Sequence, residues 1–157
     1  MTQAAFDRLQ ERLSPIAGPG TLMHGVLAFT LAADDLTTAV RQLRDEHGFD
    51  LFVDVTAVDW IAQVPRFELV YHFYSTTHKV RVRLKTRVSE ADPSVDSLTP
   101  LYGSAAFMER ECHDMYGIRF RGNADLRPIL LYEGFVGHPL RKDYPKQQEQ
   151  PLVPYRN

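Results

Sequence analysis

The stretch from Lys79 to Val88 constrains the fold most, because apolar and cationic side chains alternate along it. Successive side chains of a β-strand point to opposite faces of a sheet, so the alternation predicts a strand with one buried face. The apolar face consists of Val80, Val82, Leu84 and Val88, and the cationic face consists of Lys79, Arg81, Arg83, Lys85 and Arg87. The pattern indicates a sheet with its core on one side.

Further strands are predicted before this one. Leu51 to Val58 places four apolar residues on one face, namely Leu51, Val53, Val55 and Ala57. Arg66 to Tyr74 is apolar and aromatic on both faces, which is typical of a strand that is central in its sheet. A strand or hairpin arm is predicted near Leu22 to Leu31. It follows a helix-breaking run of Pro15, Gly18, Pro19 and Gly20.

Three helices are predicted around these strands. The clearest begins at Asp34 or Asp35 and ends at Gly48, with Leu36, Ala39, Val40 and Leu43 at helical spacing. A first helix, capped by Thr2, would bury Phe6, Leu9 and Leu13. A third helix, from about Ala105 to Tyr116, would end at Gly117. These elements predict an α+β two-layer sandwich over residues 1–120, followed by an extended C-terminal docking arm and tail over residues 121–157.

Composition limits the classes of function. The 157 residues fit one domain, and a net charge of −2 is too small to indicate nucleic acid or an acidic membrane as a partner. The single cysteine, Cys112, excludes an internal disulfide and a four-thiolate iron–sulfur site built by this chain alone. No stretch approaches the ~20 apolar residues of a transmembrane helix, and the N-terminus lacks a signal-peptide core. We therefore expect folding in the cytoplasm and membrane association only through partners.

Two groups of side chains could carry chemistry. Cys112 and His113 are adjacent, but the side chains of neighbouring helix residues point about 100° apart and do not pair easily. Cys112 also continues an apolar stripe of the helix. We therefore favour a core residue over a nucleophile or a metal ligand. Glu111 and Asp114 could act as general acid and base. An ion-pair network with Arg110 at the helix end is the favoured alternative. We therefore predict no catalytic, cofactor-binding or metal-binding residue.

The cationic strand face and the arm are the candidate interaction surfaces. The strand face is predicted to be a solvated sheet face, with a sheet edge guarded against aggregation as one form of it. An acidic partner is one alternative, and a nucleic-acid backbone is another. In the arm, Pro139 and Pro145 hold the intervening backbone extended, and Gly134 and Gly137 permit a close approach or a positive φ. An extended arm must lie on a surface, and the predicted surface is a partner more than its own domain.

The arm and the third helix also carry two family motifs. The residues from Glu109 to Tyr116 read Glu-Arg-Glu, two variable residues, an acid and two further residues, and Gly137 to Asp143 reads Gly-His-Pro-Leu-Arg-Lys-Asp. Val58-Asp59 and the run from Arg66 to Tyr71 belong to the same pattern. Over about Leu51 to Pro145, the chain resembles the C-subunit family of the respiratory NADH:quinone oxidoreductase, complex I.

The resemblance implies a mixed sheet with packed helices, and an accessory structural subunit of the peripheral arm of that complex. Electrons would pass from NADH to quinone through FMN and iron–sulfur clusters in partner subunits, coupled to proton translocation. The implied partners are the quinone-site and cluster-bearing subunits, on the cytoplasmic side of a bacterial inner membrane. The implied interface or motif residues are Glu109, Arg110, Glu111, Asp114, Gly137, His138, Arg141, Lys142 and Asp143.

This chain departs from the family at a few positions. Asn123, Ala124 and Pro128 stand in a segment that is usually His-Pro-Asp-Leu-Arg-Arg, Phe107 stands where Trp is frequent, and Tyr116 is unusual for its place. Two other functions stay open. One is the equivalent subunit of a related membrane-bound hydrogenase or ferredoxin-driven complex. The other is a free-standing enzyme that depends on Cys112.

Overall fold

The computed structural model describes residues 3–147 and residue 150 of the chain. The predicted cap Thr2, the predicted core contact of Phe6 and the predicted tail beyond residue 150 lie outside the described part. The helices are α1 (Gln3–Ala17), α2 (Leu36–Asp45) and α3 (Ala105–Tyr116), with a 3₁₀ turn at Ala33–Asp35.

Seven strands in the described residues form two sheets. The strands are β1 (Thr21–Met23), β2 (Val26–Thr30), β3 (Leu51–Asp59), β4 (Phe67–Ser75), β5 (Val80–Val88), β6 (Ser94–Asp96) and β7 (Arg119–Arg121). The main sheet has the order β1-β2-β5-β4-β3, with β2 parallel to β5 and the other neighbours antiparallel. The predicted mixed sheet of an α+β fold is confirmed. The small parallel sheet of β6 and β7 was not predicted.

The central position of two strands follows from their neighbours. β4 lies between β3 and β5, so its predicted central place is confirmed. β5 pairs with both β2 and β4, and the interpretation of its cationic face as a guarded sheet edge is therefore wrong. Alternation reports which face of a strand is buried, but it carries no information about how many neighbours the strand has.

A β-bulge at the start of β3 overturns one predicted face. The register shifts between Phe52 and Asp54, so that Leu51 is 46% exposed while Phe52 is 1% exposed. The Phe52 ring lies 5.2 Å from the Phe73 ring and 5.7 Å from the Tyr102 ring, measured between centroids. An inserted residue reverses the alternation locally. For this reason the predicted face holds at Val55 and Ala57 but not at Leu51.

The helices cover one face of the main sheet. The buried side chains of α2 are the four predicted ones, Leu36, Ala39, Val40 and Leu43. On the sheet, the buried core takes Leu69 and Tyr71 of β4 with Val82 and Leu84 of β5. Leu9 and Leu13 of α1 join the same core.

Pro15 does not end α1 as predicted. It lies inside the helix, which continues to Ala17, and the N–H of Gly18 then bonds to the carbonyl of Ser14 at 2.9 Å. A proline in the last turn removes one backbone hydrogen bond without breaking the turns before it. Gly18 has a φ of 65°, the left-handed conformation that commonly ends helices.

Candidate functional site

The C-terminal end of α3 is closed by a glycine and by the arm. Gly117 has a φ of 73°, and its N–H bonds to the carbonyl of His113 at 2.7 Å, so the predicted glycine stop is confirmed. A Cβ at this position would lie 2.4 Å from Nε2 of His138 and 2.6 Å from Nη2 of Arg141. Glycine is therefore needed here both for the backbone conformation and for the close approach of the arm.

The arm supplies partners for the last carbonyls of α3, which have none within the helix. Nδ1 of His138 lies 2.9 Å from the carbonyl oxygen of Asp114. The N–H of Leu140 donates to the carbonyl of Met115 at 3.1 Å, and Nε of Arg141 donates to that of Tyr116 at 2.6 Å. The guanidinium group also places positive charge at the negative end of the helix dipole. Residues 138–141 thus form the C-terminal cap of α3.

The carboxylate of Asp114 binds a second part of the arm. It is almost fully buried, and one of its oxygens accepts hydrogen bonds from the N–H groups of Ile129 at 2.7 Å and Leu130 at 3.0 Å. Arg110 donates to the carbonyls of Arg127 at 2.9 Å and Pro128 at 2.8 Å. Arg110 also lies 3.9 Å from the carboxylate of Asp125, so it contacts both backbone and an acid of the arm. Among the described residues, Asp114 and Arg110 each bind the arm.

Glu109 is the most deeply buried charged residue of the motif, at 0% exposure. Its carboxylate accepts hydrogen bonds from Oγ of Ser97 at 2.7 Å, the N–H of Leu98 at 2.7 Å and Nδ2 of Asn123 at 2.9 Å. Burial raises its pKa above the usual range, and the three donors oppose that shift. Asn123, one of the departures from the family pattern, is thus a partner of the motif. Glu111, by contrast, is exposed.

A buried arginine holds the far end of the arm. Arg66, with a side chain 5% exposed, donates two hydrogen bonds to the carboxylate of Asp59, at 2.8 and 2.7 Å, and two to that of Asp143, at 3.0 and 2.8 Å. It also pairs with Glu90. The N–H of Lys142 donates to Oδ2 of Asp59 at 2.8 Å. We call Arg66, Asp59, Glu90 and Asp143 the Arg66 cluster.

The charges of the Arg66 cluster reinforce one another. Hydrogen bonding from Arg66 lowers the pKa of Asp59 and of Asp143 below the usual range of aspartate, and these partners raise the pKa of Arg66. The carboxylates therefore stay ionised around a permanent cation. Sequence reasoning noted Asp59 and Arg66 only as part of the family pattern. The pair could have been predicted, because Asp59 and Arg66 lie at the two ends of the loop that joins consecutive strands, where an acid and an arginine can meet.

Most of the predicted interface or motif residues have partners within the chain. Glu109, Arg110, Asp114, His138, Arg141, Lys142 and Asp143 all contact other segments of their own domain, as described above. Gly137 has a φ of 96°, and a Cβ there would lie 2.8 Å from the Tyr144 ring. The arm therefore lies along the surface of its own domain between residues 138 and 143. The arm supplies these contacts because the last carbonyls of α3 have no partner within the helix, and contact of the same residues with a partner stays a prediction.

Cys112 is a core residue. Its side chain is 2% exposed, and burial raises the pKa of the thiol, which disfavours the reactive thiolate. Nδ1 of the neighbouring His113 lies 2.9 Å from the carbonyl oxygen of Ile118. Within residues 3–147 and 150, no three His, Cys, Asp or Glu side chains are grouped so as to hold a metal ion. None of the helices in the same residues is long and apolar enough to cross a membrane.

The arm exposes several large hydrophobic side chains among its charged ones. We call these hydrophobic side chains the arm patch: Ile129, Leu130, Tyr132, Val136 and Leu140. Beneath them a cleft of about 190 Å³ separates the arm from α3, with Asp114, Leu131, Phe135 and His138 among its lining residues. Contiguous exposed apolar side chains are typical of interaction surfaces.

Replacing Gly117 by alanine tests the link between the arm and α3. We expect the free energy of unfolding to fall by about 2 kcal/mol, since the left-handed backbone disfavours a side chain and the methyl group displaces His138 and Arg141. Urea unfolding followed by circular dichroism measures the change. Gly103→Ala is the matched control, because a Cβ there meets nothing within 4 Å. Equal stability of the two variants would contradict the proposed close packing.

Comparison with known proteins identifies the family. The profile described as "Respiratory-chain NADH dehydrogenase, 30 Kd subunit" matches residues 29–150. The C subunit of the NADH-quinone oxidoreductase of Citrifermentans bemidjiense is 42% identical over 91% of this chain and 89% of that protein. The corresponding C subunit of Geobacter sulfurreducens is 44% identical over 91% of this chain and 89% of that protein.

Two solved structures share the fold. The trypsin-resistant fragment of Nqo5 superimposes with a TM-score of 0.69 and 28% identity, covering 78% of this chain and 99% of the fragment. A chain of the membrane-bound sulfane sulfur reductase, an archaeal respiratory membrane complex, superimposes with a TM-score of 0.80 and 26% identity, covering 92% of this chain and 86% of that one. The profile match spans both motifs, the strands β3 to β5 and the Arg66 cluster. The chain therefore belongs to the family of the 30 Kd subunit of the respiratory-chain NADH dehydrogenase.

Proposed function

We propose that this chain is a non-catalytic structural subunit of the peripheral arm of an NADH:quinone oxidoreductase. Electrons pass from NADH to quinone through FMN and iron–sulfur clusters held by its partner subunits. Its place is beside the quinone-site and cluster-bearing subunits, on the cytoplasmic side of a bacterial inner membrane. The observation that carries the proposal is the arm, which is bound to the domain and exposes the hydrophobic side chains of the arm patch.

The motif residues serve this function by holding the arm in one conformation. Asp114 and Arg110 bind the first part of the arm. The end of α3 binds residues 138–141, and Arg66 binds Asp143. An arm that is already ordered loses less conformational entropy when a partner binds it. The charged motif therefore acts indirectly, and the arm patch makes the contact.

The same geometry argues against chemistry at these residues. A general acid or base must reach a substrate proton, and the carboxylates of Glu109 and Asp114 are buried and already occupied by donors of this chain. The Arg66 guanidinium group donates to three carboxylates and is 5% exposed. The thiol of Cys112 is buried. Each group is committed to the fold.

The arm patch can be tested by adding charge to it. In the natural host, a tagged chain with Leu130→Asp and Val136→Asp should keep its melting temperature, because both side chains are exposed. It should lose the co-purifying cluster-bearing and quinone-site subunits, and membranes should lose NADH:quinone oxidoreductase activity in proportion. Burying two new carboxylates against an apolar surface disfavours binding.

The control variant carries the same substitutions at the β1 strand, Leu22→Asp and Met23→Asp. Both residues are exposed to a similar degree and lie outside the arm. This variant should retain the co-purifying subunits. If the arm variant assembles as fully as the control, the arm patch is not the interface. If the unsubstituted chain co-purifies with none of these subunits, the proposed function fails.

A second candidate is the equivalent subunit of a related membrane-bound complex with another electron donor. The TM-score of 0.80 with a chain of the sulfane sulfur reductase complex favours it. Mass spectrometry of the co-purified subunits distinguishes the two. NADH-binding flavoprotein subunits support the first proposal, whereas hydrogenase-type or ferredoxin-linked subunits support the second.

A further inference from the structure

The main sheet has a second face, opposite the core that it shares with the helices. The core that joins the helices to the sheet takes inward side chains of β2 to β5. The outward side chains of β5 and β4 pair across the strands, with Arg81 opposite Tyr74, Arg83 opposite His72, Lys85 opposite Val70 and Arg87 opposite Glu68. We call these eight side chains the outer sheet face. Val70 is only 8% exposed although it lies outside the core cluster.

Positive charge on the outer sheet face is only partly neutralised. The four cations of β5 stand at every second residue, about 7 Å apart. The carboxylate of Glu68 lies 3.7 Å from both Lys85 and Arg87 and is shared between them. Asp54 lies on β3, opposite His72 of β4, and His72 in turn lies opposite Arg83 of β5. The backbones of Asp54 and Arg83 are therefore two strand spacings apart, about 10 Å. Arg81 and Arg83 therefore carry the excess charge.

Arg83 has an unsatisfied hydrogen-bond donor. Its Nε is buried, and no acceptor lies within hydrogen-bonding distance among the described residues. A buried donor without an acceptor costs free energy, and among the described residues no acidic side chain pairs with Arg83 at this atom. Burial lowers the pKa of His72, and the positive charge of Arg83 adds to that shift. The electrostatic potential beside Arg83 is therefore positive. The site favours an anion.

Aromatic rings and exposed apolar side chains accompany the cations. The guanidinium group of Arg81 lies 5.8 Å from the Tyr74 ring centroid, and that of Arg87 lies 5.7 Å from the Trp60 ring centroid. Stacking restricts these guanidinium groups and reduces the entropy that they lose on binding. At the end of the sheet where Arg87 lies, the loop after Trp60 exposes Ile61 and Val64. Gln63 of this loop accepts a hydrogen bond from Arg87 at 2.8 Å, which ties the loop to the face.

We propose that the outer sheet face, with Ile61 and Val64 at its end, binds an acidic segment of a partner polypeptide. Carboxylates of the segment pair with Arg81 and Arg83, and an apolar side chain of it packs on the loop after Trp60. The segment belongs to a neighbouring subunit, so this assignment rests on the proposed function. It adds a second contact surface, distinct from the arm patch.

A polypeptide fits the surface better than a nucleic acid does. The face itself contains Glu68, with Asp54 next to it, and the whole chain has a net charge of −2. A phosphate backbone requires a continuous run of unopposed cations. A segment of mixed acidic and apolar residues matches both the two unneutralised arginines and the exposed apolar loop.

The first experiment uses the purified full chain and its single tryptophan, Trp60, as the reporter. Titration with a poly-L-glutamate peptide should change Trp60 emission, and the affinity should fall as the salt concentration rises. Arg81→Gln with Arg83→Gln should weaken binding about tenfold, which corresponds to roughly 1.4 kcal/mol. The matched control is Arg119→Gln with Arg121→Gln, which removes the same charge from two exposed arginines of β7 and should leave the affinity unchanged.

The second experiment uses the assembled complex from the natural host. The Arg81→Gln, Arg83→Gln chain should retain its melting temperature and lose partner subunits at lower salt than the unsubstituted chain or the control pair does. A photo-crosslinking residue at Thr56, exposed on the neighbouring strand, should link to an acidic peptide of a partner subunit.

The outcomes separate this inference from the proposed function. Equal weakening of poly-L-glutamate binding by both arginine pairs would overturn the outer sheet face as the binding surface. Tighter binding of phosphatidylglycerol vesicles or duplex DNA than of poly-L-glutamate would overturn the polypeptide as its occupant. If the unsubstituted chain co-purifies with its partners but both pairs assemble equally, the inference falls and the proposed function stands. If it co-purifies with none, the proposed function falls, and the titration still decides whether the face binds acidic polypeptide.

Discussion

Replacing Arg66 by methionine should lower the free energy of unfolding by about 3–5 kcal/mol, one of the largest effects expected in this chain. The reason is the buried carboxylate of Asp59, whose side chain is 1% exposed and would lose its cation. Glu90 and Asp143 would lose the same partner, so the remaining carboxylates would repel one another. Urea unfolding at neutral pH measures the loss, and hydrogen exchange should show faster exchange at Lys142.

The matched control is Arg87→Met, on the neighbouring strand β5. Its side chain is 30% exposed and lies 3.7 Å from Glu68, so we expect a loss below about 1 kcal/mol. A double variant, Arg66→Met with Asp59→Leu, should recover part of the stability, because it removes the unpaired charge as well. If Arg66→Met costs no more than Arg87→Met, the Arg66 cluster does not stabilise the fold as described.

Replacing Glu109 by alanine should lower the free energy of unfolding by about 3–4 kcal/mol. The change leaves three donors without an acceptor, namely Oγ of Ser97, the N–H of Leu98 and Nδ2 of Asn123. It also leaves a space where a fully buried side chain stood. Glu111→Ala, two residues along the same helix and exposed, is the control and should change stability by less than about 0.5 kcal/mol.

The pH dependence of stability provides a second readout for Glu109. Because burial raises its pKa in the folded state, the folded protein binds this proton more tightly than the unfolded chain does. The resulting stabilisation is complete below the ordinary pKa of glutamate and is lost as the pH rises through the folded-state pKa. Glu109→Gln should lack this dependence, so the stability difference between the natural chain and Glu109→Gln should shift in favour of the natural chain as the pH falls. A difference that is constant with pH would contradict the raised pKa.

These variants also measure how far the arm belongs to the domain. A division at residue 120 cuts β7 before its last residue, Arg121, and separates the other strands and the helices from the arm. The hydrogen bonds to the end of α3 and to the Arg66 cluster cross that division. Loss of stability in Gly117→Ala and Arg66→Met, with faster exchange at residues 138–143, would make the arm a part of the cooperative unit.

Local pattern was sufficient for several elements. The spacing of Leu36, Ala39, Val40 and Leu43 predicts the buried face of α2, because burial on a helix repeats about every 3.6 residues. The alternation of β5 predicts its inward and outward faces in the same way. Gly117 predicts the end of α3, since glycine readily adopts positive φ.

Other features depend on residues far apart in the sequence. The bulge at Phe52 reflects the packing of its ring against Phe73 and Tyr102, which the alternation of β3 alone does not contain. The partner of Glu109 could not be read from its helix neighbours, since Ser97, Leu98 and Asn123 reach it only when β6, β7 and α3 come together. Helix spacing instead drew attention to Glu111 and Asp114, which share a helix face with Arg110 nearby.

The sequence by itself determined the family, the mixed α+β class, the main strand faces and the identity of the motif residues. These depend on residue type and short-range spacing, which the chain displays directly. Only the tertiary structure decided what the motif does, because Asp59 and Asp143 lie far apart in the sequence and yet share the Arg66 guanidinium group. It also decided that Arg81 and Arg83 keep unneutralised charge on an open sheet face, since the balance of charge on a surface depends on which strands lie side by side.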